Sequence, residues 1–156
     1  MRKKQAKKRP LLPDPKYKDQ LVTRFVNSLM KDGKKSLAYS IFYDTVDKIT
    51  ERTEEEGLEV WKKALSNVMP SVEVTRRRVG GSTFQIPIEV RASRKIALGV
   101  KWLINCARAR GEKTMTERLV NETIAASKGE GNAVKKKNDI HKMAESNRAF
   151  SHFRIK

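Results

Sequence analysis

The sequence predicts a mainly α-helical protein, built as a single helical domain of about six helices with a β-hairpin arm that protrudes between the third and fourth helices. Three observations lead to this fold class. The length of 156 residues suits one hydrophobic core, and 38% of the residues are hydrophobic. Apolar residues recur at helical spacing along most of the chain. They alternate at every second position in one stretch, about 72–90.

Residues 1–18 predict a basic, extended N-terminal arm, because their prolines oppose helix formation. The single domain is predicted over residues 19–156. Asp19 is well suited to cap its first helix, since a short acidic side chain can accept a hydrogen bond from a free backbone amide. Asp32 and Gly33 are expected to end that helix.

Two more helices are predicted before the hairpin. The second runs from about Lys34 to Glu56 and stops at Gly57, and the third runs from Leu58 to Val68. Four aromatic residues lie at apolar helical positions and are expected in the core rather than on a binding surface. These residues are Phe25, Phe42, Trp61 and Trp102.

The alternating stretch about 72–90 predicts the hairpin arm. Val72 and Val74 share one face of the first strand, and that face continues outward as Arg76 and Arg78. Residues 80–82, Gly-Gly-Ser, separate the two strands. At ~3.3 Å per residue, the first strand extends over roughly 26 Å. The arm is therefore apolar at its base and cationic toward its tip.

Three further helices are predicted after the hairpin. The fourth ends at Gly111. Thr114 and Glu117 have the spacing of a capping box, which predicts the start of the fifth. A basic C-terminal helix is predicted over about 132–147, with a narrow apolar stripe that limits its packing to one edge.

The charge of the chain predicts a polyanionic partner. Lys and Arg number 35 against 18 Asp and Glu, giving a net charge of +17. The excess is concentrated in three stretches, 1–18, 71–111 and 128–156, which carry +7, +7 and +5. The intervening residues are slightly acidic, so some surfaces are expected to meet phosphate and others water or protein.

The residues that could support catalysis do not form a recognisable active site. His141 and His152 lack nearby cysteines or acid pairs at metal-ligand spacing. Residues 33–35, Gly-Lys-Lys, resemble the end of a phosphate-binding loop but lack its hydroxyl residue and its first glycine. Residues 54–56 are three consecutive glutamates, which point in different directions on a helix. The sequence therefore predicts no enzyme activity, no metal, no cofactor and no small-molecule substrate.

The single cysteine, Cys106, lies in an apolar helical stretch and is expected to be a buried residue in a reducing compartment. No stretch approaches ~18 consecutive apolar residues, and no signal peptide is recognisable. We therefore expect no membrane partner and a protein that stays in the compartment where it is made.

Three long segments carry a family resemblance. They are DPKYKDQLVTRFVNSLMKDGKKSLAYSIFYDTV (14–46), ALSNVMPSVEVTRRRVGGSTFQIPIEV (64–90) and KKKNDIHKMAESNRAFSHFR (135–154). In order and spacing they resemble the bacterial and organellar type of small-subunit ribosomal protein seven. The resemblance implies a structural protein of the small ribosomal subunit, in the cytoplasm or in an organellar stroma or matrix. It also implies the helical fold with a protruding hairpin.

The resemblance further implies direct binding to the 3′ major domain of small-subunit rRNA early in assembly of the head. It implies a position beside the exit-site tRNA and near the mRNA path, with neighbouring proteins of the head and platform as partners. The candidate rRNA-binding residues, some from charge and some from the resemblance, are Arg2, Lys3, Lys4, Lys7, Lys8, Arg9, Lys34, Lys35, Arg76, Arg77, Arg78, Arg91, Arg94, Lys95, Arg108, Arg110, Lys135, Lys136 and Lys137. The candidate contacts to tRNA or a neighbouring protein are Gly80, Gly81, Ser82, Thr83, Met143, Arg148 and Phe150.

Two alternatives remain from the residues alone. A basic helical DNA-binding or chromatin-like protein has the same charge, although the densest arginines here lie on a hairpin and the next helix rather than on a compact recognition helix. A nuclease-like or RNA-modifying enzyme would require a metal or cofactor site. Phe84, Phe150 and Phe153 are the aromatic residues that could stack on bases.

Overall fold

A computed structural model describes residues 9–153 of the chain. Within that range the protein has six α-helices, a two-stranded antiparallel sheet and a short 3-10 helix, which confirms the mainly α fold with a hairpin between the third and fourth helices. The elements are α1 Gln20–Leu29, α2 Lys35–Thr53, α3 Gly57–Val68, β1 Val72–Val79, β2 Ser82–Glu89, α4 Ala92–Arg108, α5 Met115–Ser127, α6 Gly131–Ser146 and the 3-10 helix Arg148–Phe153.

The chain divides into two compact units at residues 40 and 41. In the first unit, Asp19 caps α1 as predicted, accepting a hydrogen bond from the Leu21 backbone N at 2.8 Å. Residues 15–17 form a turn instead of the predicted extended chain. The cause is the buried carboxylate of Asp14, which accepts hydrogen bonds from the backbone N of Lys16 and Tyr17 at 3.0 and 2.8 Å. The division into an arm, 1–18, and one domain, 19–156, remains a prediction.

The connection between α2 and α3 differs from the prediction. Helix α2 ends at Thr53 rather than Glu56, because Glu54 adopts a positive φ of 56° that breaks the helix. Gly57 does not end a helix but begins α3. Its backbone N donates a hydrogen bond to Thr50 Oγ1, and a Cβ at this position would meet Thr50 Oγ1 at 2.6 Å and the backbone oxygen of Val46.

The core of the second unit lies between α3, α4 and α5, which pack against one another. Phe42 and Trp61 meet edge to face in this unit, with ring centroids 5.2 Å apart. The prediction that the helical aromatic residues belong to the core is confirmed for all four. Burial of each large apolar side chain contributes roughly 1.5–3 kcal/mol.

The hairpin forms in the predicted stretch. Gly80 and Gly81 connect the strands and have φ values of 56° and 90°, as a type I′ turn requires. Helix α6 packs against both strands, and the 3-10 helix packs against β2. Ile86 is buried, so the base of the hairpin belongs to the core, whereas residues 81–83 at the tip are exposed.

Local sequence signals also determine where the last two helices begin. Thr114 caps α5 by accepting a hydrogen bond from the Glu117 backbone N at 3.3 Å, which confirms the predicted N-terminus. Helix α6 starts at Gly131, one residue before the predicted start, and ends at Ser146. None of the helices within residues 9–153 has the length and apolar character needed to span a membrane.

Candidate nucleic-acid interface

The three hairpin arginines, Arg76, Arg77 and Arg78, do not share one face. Adjacent residues of a strand point to opposite sides, so Arg76 and Arg78 lie on one face and Arg77 on the other. Arg76 and Arg78 are exposed, whereas Arg77 is half-buried and pairs across the strands with Phe84. The cross-strand partners of Arg76 and Arg78 are Gln85 and Thr83, which carry no charge. The exposed pair can therefore reach phosphate oxygens.

An ion pair attaches the base of the hairpin to α4. Arg94 donates from Nε and Nη2 to the two carboxylate oxygens of Glu73, at 2.7 and 2.8 Å. These hydrogen bonds raise the pKa of Arg94 above its ordinary value. Both oxygens of Glu73 are engaged, so the pair links β1 to the first turn of α4. Its predicted contact with RNA remains a prediction.

The other basic residues around α4 differ in exposure. Arg91, at the N-terminal boundary of α4, is exposed, and Lys95, Arg108 and Arg110 are half-buried. Arg91 is therefore more accessible than Lys95, Arg108 and Arg110.

Arg110 lies in a cluster with Glu112 and Glu122, hereafter the carboxylate cluster. Its Nε donates to Glu112 Oε1 and its Nη1 donates to Glu122 Oε2, each at 2.8 Å. The side chain of Glu122 is 0% exposed, and that of Arg110 is 26% exposed. Hydrogen bonds from Asn121 and from Arg110 lower the pKa of Glu112 from 4.5 to about 2. The guanidinium of Arg110 is thus committed to two carboxylates.

The lysines of α6 also divide by helical phase. Lys135 and Lys136 are exposed, but Lys137 turns inward and its Nζ donates to the backbone oxygen of Asn67 at 2.7 Å. One turn later, His141 Nε2 accepts a hydrogen bond from the Ser71 backbone N at 3.1 Å. Burial, together with the charge of Lys137, lowers the pKa of His141. One face of α6 is therefore structural, and the other presents cations.

In the first unit, the described candidates are all exposed. Arg9, Lys34 and Lys35 have open side chains, and Lys35 Nζ lies 5.7 Å from the ring centroid of Tyr39. The other arm candidates, Arg2, Lys3, Lys4, Lys7 and Lys8, lie outside the described residues.

The candidate contacts to tRNA or protein lie at the tip and along the C-terminal end. Met143 is 45% exposed and borders a groove of 330 Å³ that is also lined by Val74, Trp102 and Ile140. The rings of Phe84 and Phe150 pack against each other with centroids 5.2 Å apart, which holds the 3-10 helix against β2. Arg148 is exposed and forms an ion pair of 3.4 Å with Glu145.

Sequence reasoning assigned no role to the groups that hold these cations. Glu73 and Glu122 bind Arg94 and Arg110 through their carboxylates, and the backbone oxygen of Asn67 accepts a hydrogen bond from Lys137. Within residues 9–153, no cluster of three or more His, Cys, Asp or Glu is arranged to hold a metal ion.

A helical body, an arginine-bearing hairpin and a net charge of +17 are typical of the nucleic-acid-binding class of proteins. The chain belongs to the ribosomal protein S7p/S5e family, whose sequence model matches residues 1–148. It is 72% identical over 155 residues to the small ribosomal subunit protein uS7 of Amoebophilus asiaticus, covering 99% of this chain and 100% of that protein.

Two further relatives from other organisms have the same name. The protein of Cytophaga hutchinsonii is 70% identical over 155 residues, covering 99% of this chain and 100% of the relative. That of Salinibacter ruber is 58% identical over 155 residues, covering 99% of both chains. These matches do not favour a DNA-binding or chromatin-like protein.

Proposed function

We propose that the chain is a structural component of the small ribosomal subunit that binds ribosomal RNA directly and catalyses no reaction. The observation that carries this proposal is the high identity, over nearly the whole length, to relatives named as small ribosomal subunit proteins. It resides with the ribosome in the cytoplasm, and its protein partners are neighbouring proteins of the head and platform.

The described surface supports RNA binding through phosphate contacts. Arg76, Arg78 and Arg91 are exposed on the hairpin and at the start of α4, and Lys135 and Lys136 are exposed on α6. Neutralising phosphates with such side chains releases counterions, so the affinity falls as salt rises. These contacts fix the position of the protein on a folded RNA without reading its sequence.

In finer detail, the RNA is the 3′ major domain of the small-subunit rRNA, and binding nucleates assembly of the head. The hairpin tip, residues 80–83, together with the C-terminal end from Met143, lies beside the exit-site tRNA and the path of mRNA. The groove bordered by Met143 and the exposed Arg148 support a contact at this end of the molecule.

Competition binding tests the RNA-binding function. Labelled 3′ major domain rRNA is bound by the full chain at ~150 mM salt and challenged with unlabelled duplex DNA of equal charge. We expect DNA to compete far more weakly than unlabelled rRNA. Equal competition would favour a general DNA-binding protein and would contradict the proposal.

Crosslinking tests the position beside tRNA. Cys106 is replaced by Ser, and Ser82→Cys then provides a single thiol at the exposed tip. In assembled small subunits, a thiol-directed crosslinker at this position is expected to attach to tRNA bound in the exit site. Glu55→Cys in the same background, placed in an exposed loop between α2 and α3, is the matched control.

A further inference from the structure

The N-terminus of α6 is capped by a residue from another helix. The residue at its N-terminal boundary, Glu130, makes no side-chain capping hydrogen bond. Instead, Glu122 of α5 accepts a hydrogen bond from the Ala133 backbone N at 2.8 Å through Oε1. This amide belongs to the first turn, where backbone N–H groups lack partners within the helix and the helix dipole favours a negative charge. Glu122 therefore performs the capping role that Glu130 leaves unfilled.

The capping carboxylate is held rigidly. It is fully buried, and its second oxygen accepts a hydrogen bond from Arg110 Nη1 at 2.8 Å. A buried carboxylate is costly unless both its charge and its hydrogen-bonding capacity are satisfied. Here the guanidinium of Arg110 balances the charge and the Ala133 amide engages the other oxygen, so the carboxylate has one well-defined position.

Gly131 allows α6 to begin directly against this carboxylate. Its φ is +88°, in the region that favours glycine. A Cβ at this position would lie 3.2 Å from Glu122 Oε1 and 3.1 Å from the Cβ of Ala125. The backbone conformation thus favours glycine, and an added Cβ would force Glu122 or Ala125 to shift.

We propose that Glu122 is the positioning residue for α6 and thereby for its exposed lysines, Lys135, Lys136 and Lys142. Lys135 follows the anchored Ala133 by two residues, so the direction set at the first turn also sets the lysine face. Arg110 acts through Glu122. The RNA-binding part of this inference rests on the proposed function, whereas the positioning of α6 can be tested without RNA.

The RNA-free test compares full-length Glu122→Ala and Glu122→Gln with Glu130→Ala, which removes the same charge from the same end of α6 at an exposed position. Hydrogen exchange of α6 amides is measured relative to α3 amides. We expect α6 to lose at least tenfold protection in Glu122→Ala. The loss should be smaller in Glu122→Gln, because its amide oxygen can still accept a hydrogen bond from Ala133. Glu130→Ala should match the parent protein. If Glu122→Ala does not fold, Gly131→Ala decides, because its Cβ would lie 3.2 Å from Glu122 Oε1 and disturb the anchor. Protection of α6 equal to that of the parent would then overturn the proposal.

Cys106 supplies a second local readout. The thiol lies near this anchor: burial and the charge of Glu122 raise its pKa, and Lys136 opposes them. Gly131→Ala disturbs the anchor and leaves every charge in place. At a pH high enough to deprotonate Cys106 in both proteins, the rate of its modification by a thiol reagent reports access to the thiolate. We expect this rate to be higher in Gly131→Ala than in the parent. An unchanged rate together with unchanged α6 protection would overturn the proposal.

The RNA test is a double-mutant comparison on the 3′ major domain. If Glu122 acts through the lysines, Lys135→Ala with Lys136→Ala weakens binding less in the Glu122→Gln background than in the parent. Independent, multiplicative losses would overturn the positioning of the lysine face. A parent protein that shows no preference for rRNA over duplex DNA would instead defeat the proposed function, and the exchange result would still decide the role of Glu122.

Discussion

Two arginine-bearing regions of this molecule use the same side chain for different purposes. On the outer hairpin, Arg76 and Arg78 face Gln85 and Thr83 across the strands and remain exposed. In the carboxylate cluster, Arg110 lies 2.8 Å from each of two carboxylates. The difference is made by nearby acids rather than by the arginines. In these two regions, an arginine stays exposed where no carboxylate lies close enough to hold it.

The largest effect on folding is expected from Arg110→Met. Removing the guanidinium leaves the buried charge of Glu122 uncompensated, which lowers the free energy of unfolding by about 3 kcal/mol. Urea unfolding at pH 7 measures this change, and the exposed Lys113→Met serves as the control. The predicted RNA contact of Arg110 is tested on the same protein, because a side chain that neutralises one phosphate contributes about 1 to the slope of log affinity against log salt.

The opposite behaviour is expected from Arg76→Ala combined with Arg78→Ala. Because both side chains are exposed, the thermal midpoint should hardly change, whereas the salt slope of rRNA binding should fall by about 1 for each phosphate that the variant no longer neutralises. Arg77→Ala, on the other face of the hairpin, is the matched comparison and should change the slope less. A large decrease in helix content in the double variant would contradict the separation of binding from folding.

Substitutions of two neighbouring lysines of α6 are expected to have smaller and different effects on stability. Lys137→Ala removes a hydrogen bond to the Asn67 backbone oxygen at the end of α3 and should destabilise the protein by about 1 kcal/mol. Lys136→Ala should leave stability unchanged and reduce the salt slope of RNA binding. Thermal unfolding and salt titration of both variants provide the test, and identical behaviour of the two would contradict the division of α6 into two faces.

The smallest effect is expected in the pH dependence of stability, through the carboxylate cluster. The pKa of Glu112 is lowered from 4.5 in the unfolded chain to about 2 in the fold, so the unfolded state binds more protons between these values. The stabilisation from Glu112 is therefore complete above pH 4.5 and is lost as the pH falls toward 2. The difference in thermal unfolding midpoint between the parent and Glu112→Gln should therefore shrink as the pH falls from 4.5 toward 2. A constant difference would contradict the pKa shift.

The fold could be predicted largely from local signals. Asp19 and Thr114 were predicted as caps because capping depends on residues two or three positions away. The hairpin was predictable from alternation and from two adjacent glycines. The predicted role of Gly57 was wrong because a glycine can be required by a close contact as well as by the end of a helix, and only the fold distinguishes these cases.

The roles of individual cations could not be predicted in the same way. Arg110 and Glu122 are twelve positions apart, and their contact depends on how α5 packs against the end of α4. Residues 135–137 form a uniform lysine run in the sequence. The buried Ala133 and Val134 set the phase of the helix and turn Lys137 inward. Tertiary packing thus decides which charges remain available.

The corner between α2 and α3 has a consequence for natural variation. Thr50 Oγ1 donates to the Val46 backbone oxygen and accepts from the Gly57 backbone N, so two turns of α2 are tied directly to the first residue of α3. The three glutamates just before Gly57 are largely open to water. Random mutagenesis with selection for growth should therefore recover many replacements in residues 54–56 and none at Gly57, where even a methyl group would force the two helices apart.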